Sequence, residues 1–334
     1  MDLLNALVAI TNYIIIPAST YGAQLALGAL GVTLIYGILR FSNFAHGDTM
    51  AFGTAITIMV TWALQAGGVS LGPLPTALLA LPFGILATAL LMLGTDRVIY
   101  AYYRKVKAKP VTLVMVSVGV MFMMNAVTRF LIGVDDIKFT DGERFVITAR
   151  GFKEFTGLAE PLALRTTQVL TLVMAALIVA ALFWFLNNTR TGKSMRAFSD
   201  NEDLALLSGI NPNRVVAVTW IIAGALATTA GVLYGLDKSF KAFNYFHLLL
   251  PIFASAILGG LGNPLGAIAG GFVIAFSEVG VTYAWKKVAT YVLPIEPDGL
   301  LQLLSTEYKF AVSFIILIVV LLFKPTGLFK GKSV

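Results

Sequence analysis

The chain has 334 residues, 58% of them hydrophobic and 12% charged, with a mean hydropathy of +0.85. So little polar surface cannot close a water-soluble globule, and no run of about ten residues alternates apolar with polar as an outer-membrane barrel requires. The net charge of +7 falls in loops beside apolar segments, where insertion topology and anionic lipid explain it without nucleic acid; zero cysteines and two histidines leave no basis for disulfides or a metal site.

Backbone in lipid must satisfy its own hydrogen bonds, so the fold expected is an all-α polytopic membrane protein of nine or ten spans, some broken or re-entrant. Met1 to Asn12 lacks the basic n-region of a cleavable signal and is expected to stay. Leu3 to Ala18 is apolar but short for a span, which needs roughly 20 residues. It either crosses or lies in the interface. Spans are expected at Gly22–Arg40, Thr49–Ala66, Thr76–Thr95 and Val111–Ile132. Between the third and fourth of these, Arg97, Arg104, Lys105, Lys107 and Lys109 face one acid, the strongest positive-inside marker in the chain.

The acid-bearing segment 133–165 is then external, and its FVITARGF piece is compatible with a hairpin strand. Further spans are expected at Thr166–Leu186, Val215–Leu236, Phe246–Leu261, Leu265–Ala284 and Phe310–Phe323, with a second external segment over 285–309. The Lys324, Lys330 and Lys332 tail falls inside. Every basic-rich loop then shares one side, and a ten-span count puts both termini in the cytoplasm. Residues 1–334 read as one membrane domain with no soluble domain attached.

The polar island 187–214 is the longest soluble piece that looks built. Ser199-Asp200-Asn201 offers N-cap chemistry, Glu202 and Asp203 are acidic in a first turn, and Gly209 with Asn211-Pro212 stops the helix. Arg190, Lys193 and Arg196 form a basic lead-in. Such a helix between spans suits a surface that another protein pushes on; the plain alternative is a solvated loop whose charges only fix topology. Gly192-Lys193-Ser194 imitates a phosphate-binding loop, but Asn187 stands where that motif needs glycine.

Gly259, Gly260, Gly262 and Gly266 fail dinucleotide-loop spacing as well. Gly262, Gly266 and Gly270 recur every four residues and predict a face for close helix approach, as do Ala227, Gly231 and Gly235. The glycine cluster also predicts a broken helix pair near the midplane or inner leaflet. Asn43, His46 and Asp48 crowd the interruption FSNFAHGD. Either Asn43 and Asp48 cap the next helix while His46 bonds open backbone, or the histidine beside a carboxylate titrates and moves protons. Glu278 is the carboxylate well inside a later span and must face protein or water. Asn43, His46, Asp48 and Glu278 are the pathway or gate candidates. A proton-coupled machine would need more such groups mid-span.

These residues carry a resemblance. LIYGILRFSNFAHGD (34–48), SMRAFSDNEDLALLSGINPNRVVAVTWIIAGALATTAGVLYG (194–235) and ASAILGGLGNPLGAIAGG (254–271) are similar to signatures of the permease subunits of branched-chain amino-acid ABC importers, with FKPTGLF (323–329) as a minor echo. The resemblance spans nearly the whole chain. It implies a bacterial inner-membrane permease that hydrolyses no ATP and binds no cofactor, with ATP and Mg on two partner ATPase subunits. A second, related permease and a periplasmic solute-binding protein are the other partners implied. It also implies that Glu202 to Gly209 is the coupling helix, with Arg196, Glu202, Asp203, Leu204, Ala205 and Gly209 in the ATPase-coupling loop. Leu204 departs from the alanine usual at the second position of that loop. Sibling permeases move urea or short amides, so the solute is not fixed by these signatures.

Overall fold

A computed structural model describes residues 2–292, 299, 301–324 and 326–329. Lys330 and Lys332, Pro325 and most of 293–300 lie outside the described residues. Among the described residues, nine helices are long and apolar enough to cross a membrane: Asp2–Leu39, His46–Ala66, Ala77–Lys105, Pro110–Ile132, Thr166–Asn188, Pro212–Lys238, Ala242–Gly259, Pro264–Thr282 and Thr306–Phe323. The chain is thus an all-α multi-pass membrane protein.

Two departures from the expected spans have physical causes. Leu3–Ala18 and Gly22–Arg40 are not separate spans but one continuous 38-residue helix, passing through a π-helical stretch at Thr11–Ile15. Nothing breaks it, because Pro17 falls near the start of the α-helical stretch that begins at Ile16 and has an apolar, helix-competent neighbourhood. With nine candidate spans among the described residues, an odd number, Asp2 and Phe323 fall at opposite faces of the bundle, unlike the ten-span expectation of both termini in the cytoplasm. The Asn5 side chain accepts from the backbone of Ala159 and Glu160, on the face opposite the basic loop at Lys105–Lys109. The third span likewise runs on through Asp96 to Lys105 rather than ending at Thr95. Its π-helical stretch, Asp96–Tyr100, is held by the buried Trp220 and the half-buried Arg104: Asp96 accepts from Trp220 Nε1 at 2.7 Å and from Arg104 Nη2 at 2.9 Å.

From Ala18 to Leu39 the first span is apolar on nearly every side and almost wholly enclosed, as such a helix must be, whereas Leu3, Leu4 and Leu7 nearer its start are exposed. Small residues let neighbours approach it: a Cβ on Gly271 would crowd Ala26, and one on Gly22 would crowd Phe272. Threonines within the spans turn their hydroxyls onto their own helix; Thr54, Thr57, Thr61 and Thr88 each donate to the carbonyl four residues back at 2.7–2.8 Å. A polar side chain is satisfied without a partner span.

The seventh and eighth spans, of 18 and 19 residues, form a hairpin closed at Gly260–Asn263. The break expected near the midplane or inner leaflet is thus a turn at the basic-loop end of two full-length helices. Gly262 sits in that turn at φ +83 and not on the helix face with Gly266 and Gly270. Gly259 and Gly266 meet backbone to backbone, and Gly270 meets the Ser255 carbonyl, so this seam leaves no room for a side chain. Gly231 packs on Thr54 and Met50, while Gly235 packs on Tyr245 and Phe139. Gly260 lies under Gly327, where Leu328 N donates to Leu258 O at 2.8 Å.

The outer face carries a collar. Phe145–Ile147 pairs antiparallel with Leu164–Arg165, and ARGF begins the helix Ala149–Thr156 instead of extending the strand. Asp141 accepts from Thr76 N at 2.7 Å and Gln65 Nε2 at 2.9 Å. Burial works to raise its pKa, but these donors hold it below the usual carboxylate value. Glu160 is buried and takes Lys287 Nζ and the Tyr291 hydroxyl, both at 2.7 Å, tying 159–163 to the helix Lys286–Val292.

Candidate functional site

The interruption FSNFAHGD does not lie at the membrane surface. His46 is fully buried with its ring against Gly31, eight residues before the first span ends, so the second span starts roughly 12 Å inside that end. Irregular backbone at this depth requires protein on all sides, and Phe41, Asn43 and Ala45 are buried accordingly. Asn43 Oδ1 accepts from Ala45 N at 3.2 Å and from the Tyr100 hydroxyl at 3.3 Å; Phe44 N donates to Ser117 Oγ at 3.1 Å. Asn43 thus closes the turn. Asp48 caps nothing: its Oδ1 accepts from Asn125 Nδ2 of the fourth span at 2.6 Å. His46 faces the Gly28 carbonyl without a hydrogen bond of normal geometry at either ring nitrogen.

Tyr100 is the residue that the third span's π-helical stretch delivers to this cluster, and it stacks on Trp220 at 5.2 Å and tilts on Phe41 at 5.3 Å. Neither Tyr100 nor Trp220 was signalled by the sequence, since an aromatic inside an apolar span looks like core. Glu278 is buried elsewhere. It receives the Ser313 hydroxyl and sits beside Tyr21, about 15 Å along the first span from Gly31. The structure therefore groups Asn43, His46 and Asp48 and separates Glu278 from them.

The polar island folds as two helices, Arg190–Asp200 and Glu202–Leu207, where one was expected. Thr189 caps the first through Gly192 N at 3.0 Å, and Asn201 caps the second through Leu204 N at 3.0 Å. Gly209, at φ +79, ends it in a Schellman motif: Ile210 N donates to Ala205 O at 3.1 Å and Gly209 N to Leu206 O at 3.0 Å. Ala205 is the buried side of this helix, whereas Leu204, Leu206 and Leu207 are 61%, 42% and 86% exposed. Glu202 and Asp203 are exposed beside them. Arg196 reaches back to Asn187 Oδ1 at 3.0 Å, which fastens the helix Arg190–Asp200 to the fifth span.

One contact joins the two signature stretches. Arg40, in left-handed conformation at φ 55, donates from Nη2 to Ser199 O at 2.7 Å. The segment that leads to the exposed leucines is thereby tied to the end of the first span and to the turn holding His46. Beneath it lies a cavity of about 270 Å³ between Gly37, Leu186, Ser199 and the Gly262–Leu265 turn.

The fold and site thus define a multi-pass helical membrane protein with a polar turn buried inside it and an apolar helix exposed on its basic face. The family profile described as "Branched-chain amino acid transport system / permease component" matches residues 14–321. The chain is 31% identical to the high-affinity branched-chain amino acid transport system permease protein LivH of Escherichia coli (strain K12), over 94% of both chains. It is 29% identical to BraD of Pseudomonas aeruginosa, a permease protein of the same description, again over 94% of each. A probable branched-chain amino acid transport permease protein of Methanocaldococcus jannaschii is 26% identical over 93% of this chain and 90% of that one. The chain belongs to the branched-chain amino-acid transport permease family.

Proposed function

We propose that the chain is the translocation subunit of an ATP-driven importer in the bacterial inner membrane, moving branched-chain or related amino acids inward by alternating access. It would work with two ATPase subunits that hold ATP and Mg, a second related permease, and an external solute-binding protein. The observation that carries the coupling part is the helix Glu202–Leu207. It presents three leucines to water on the basic face and is linked through Ser199 and Arg40 to the first span. Exposed leucines flanked by Glu202 and Asp203 fit a partner groove with an apolar floor and basic rim. Closure of the ATPase dimer pressing on this helix would move the Arg190–Asp200 helix, and with it the end of the first span.

The test is uptake and ATP hydrolysis by the assembled transporter in proteoliposomes. Reversing charge at Glu202 and Asp203, or Gly209→Pro, should abolish stimulation of hydrolysis by loaded binding protein while the spans stay folded. Stimulation surviving both changes removes this helix from the coupling role. A stand-alone carrier driven by a proton gradient would instead show uptake without ATP, and neither change would alter it.

A further inference from the structure

Glu278 lines a second cavity, of about 250 Å³, at the outer ends of the first, sixth, eighth and ninth spans. Its carboxylate is 1% exposed, with Oε1 taken by the Ser313 hydroxyl and Oε2 buried without a hydrogen bond of normal geometry. The Tyr21 hydroxyl turns toward it and is likewise incompletely bonded. A buried carboxylate oxygen whose nearest donor is poorly aligned gains from a better-placed one.

Lys309, from the start of the ninth span, lines the same cavity. Its ammonium lies over the Tyr21 ring at 5.7 Å and the Phe310 ring at 4.7 Å, and among the described residues it makes no ion pair. Lys309 and Glu278 thus line one cavity, and among the described residues no ion pair joins them. The π-helical stretch Thr11–Ile15 turns Tyr13 into the cavity wall, where it stacks on Tyr283 at 6.2 Å. Such stretches recur at functional sites because the extra residue per turn re-aims a side chain. The remaining wall includes Pro17 and Val279.

We propose that this cavity is a receiving site for a free aliphatic amino acid, with its ammonium at Glu278, its carboxylate at Lys309 and its side chain against Pro17, Val279 and the tyrosine faces. A zwitterion offers donors to the Glu278 carboxyl and a carboxylate to the Lys309 ammonium at once; a neutral amide or urea offers no such pair of charges. The assignment rests on the amino-acid transport reading above and adds that the permease itself recognises the solute.

The experiment uses the assembled transporter in nanodiscs, without binding protein or nucleotide, and measures retention of radiolabelled L-leucine by equilibrium dialysis. Wild type should retain leucine saturably, and unlabelled 4-methylpentanoate, isopentylamine and urea should compete poorly. Glu278→Gln and, independently, Lys309→Gln should each weaken retention about tenfold or more, the effect of one lost charge-assisted contact. Glu278→Gln should also let 4-methylpentanoate compete as well as leucine, a change in selectivity that mere loosening of the bundle does not produce. If Glu278→Gln fails to assemble, Lys309→Gln carries the test. No leucine retention by wild type, or variants that bind like wild type, while uptake with binding protein stays intact, overturns the site and leaves the transport reading standing. Retention without any amino-acid uptake supports the site and sinks the transport reading.

Discussion

The bond between Arg40 and Ser199 permits a substitution that separates folding from coupling. Arg40 occupies the left-handed region, which costs a residue with a Cβ about 1–2 kcal/mol relative to glycine. Its hydrogen bond to Ser199 O is exposed, and a charged hydrogen bond normally worth about 1.5–3 kcal/mol contributes about 1 kcal/mol there. Arg40→Gly removes both, so its net effect on stability should be close to zero. Arg40→Ala loses the bond and keeps the backbone strain, and should be destabilised by about 1 kcal/mol. If the bond transmits motion, both variants lose coupling, and 1 kcal/mol of coupling corresponds to about a fivefold loss of binding-protein-stimulated hydrolysis. Thermal unfolding of the purified complex and stimulated ATPase activity, measured on the same preparations, provide the check. Arg40→Gly with full stimulation would refute the link, as would loss of stimulation only in proportion to lost thermal stability.

Three other outcomes follow from the same geometry. Because Asp141 has a depressed folded pKa, its contribution to the collar is full above the ordinary carboxylate value and is lost as pH falls through the lower, folded value. Hydrogen exchange at Thr76 and the 66–76 loop should therefore rise on acidification in wild type and be high at neutral pH in Asp141→Ala. Gly259→Ala forces a methyl into the Gly266 backbone and should destabilise the bundle by about 1–3 kcal/mol in chemical denaturation, with Ala269→Gly a milder control away from that seam. Asn125→Leu strips Asp48 of its donor inside the bundle and should cost about 3 kcal/mol or more, while adding Asp48→Leu should recover most of it; thermal stability of the single and double variants that failed to show this recovery would mean the pair does not act as a unit.

Much of the architecture was legible because lipid admits so few solutions: apolar length located the spans, and the basic residues at 97–109 oriented them. The stop at Gly209 was legible too, since a glycine after an amphipathic turn has one common use. What escaped were features whose cause lies far away in sequence. The union of Leu3–Ala18 with Gly22–Arg40 depends on the absence of any break, which hydropathy does not report. The π-helical turns at Thr11 and Asp96 are fixed by Tyr283, Trp220 and Arg104, residues up to some 270 positions away. Glu278 is buried among protein, and Lys309, which by hydropathy falls in an external loop, lines the same cavity.

The enclosure of the first span also has a consequence for how the protein is made. Thr20, Gln24 and Thr33 end up buried, and Gln24 Nε2 donates to Leu233 O at 3.3 Å. Gly271, which packs on Ala26, is synthesised about 250 residues later, on the order of 10–50 s at ordinary elongation rates. For that interval the helix at the centre of the finished bundle lacks its eighth-span neighbour, although the turn holding His46 already packs on it. The enclosure of Ala18–Leu39 is therefore completed late, and changes at Thr20, Gln24 or Thr33 should register first in the yield of inserted protein, before they register in its resistance to heat.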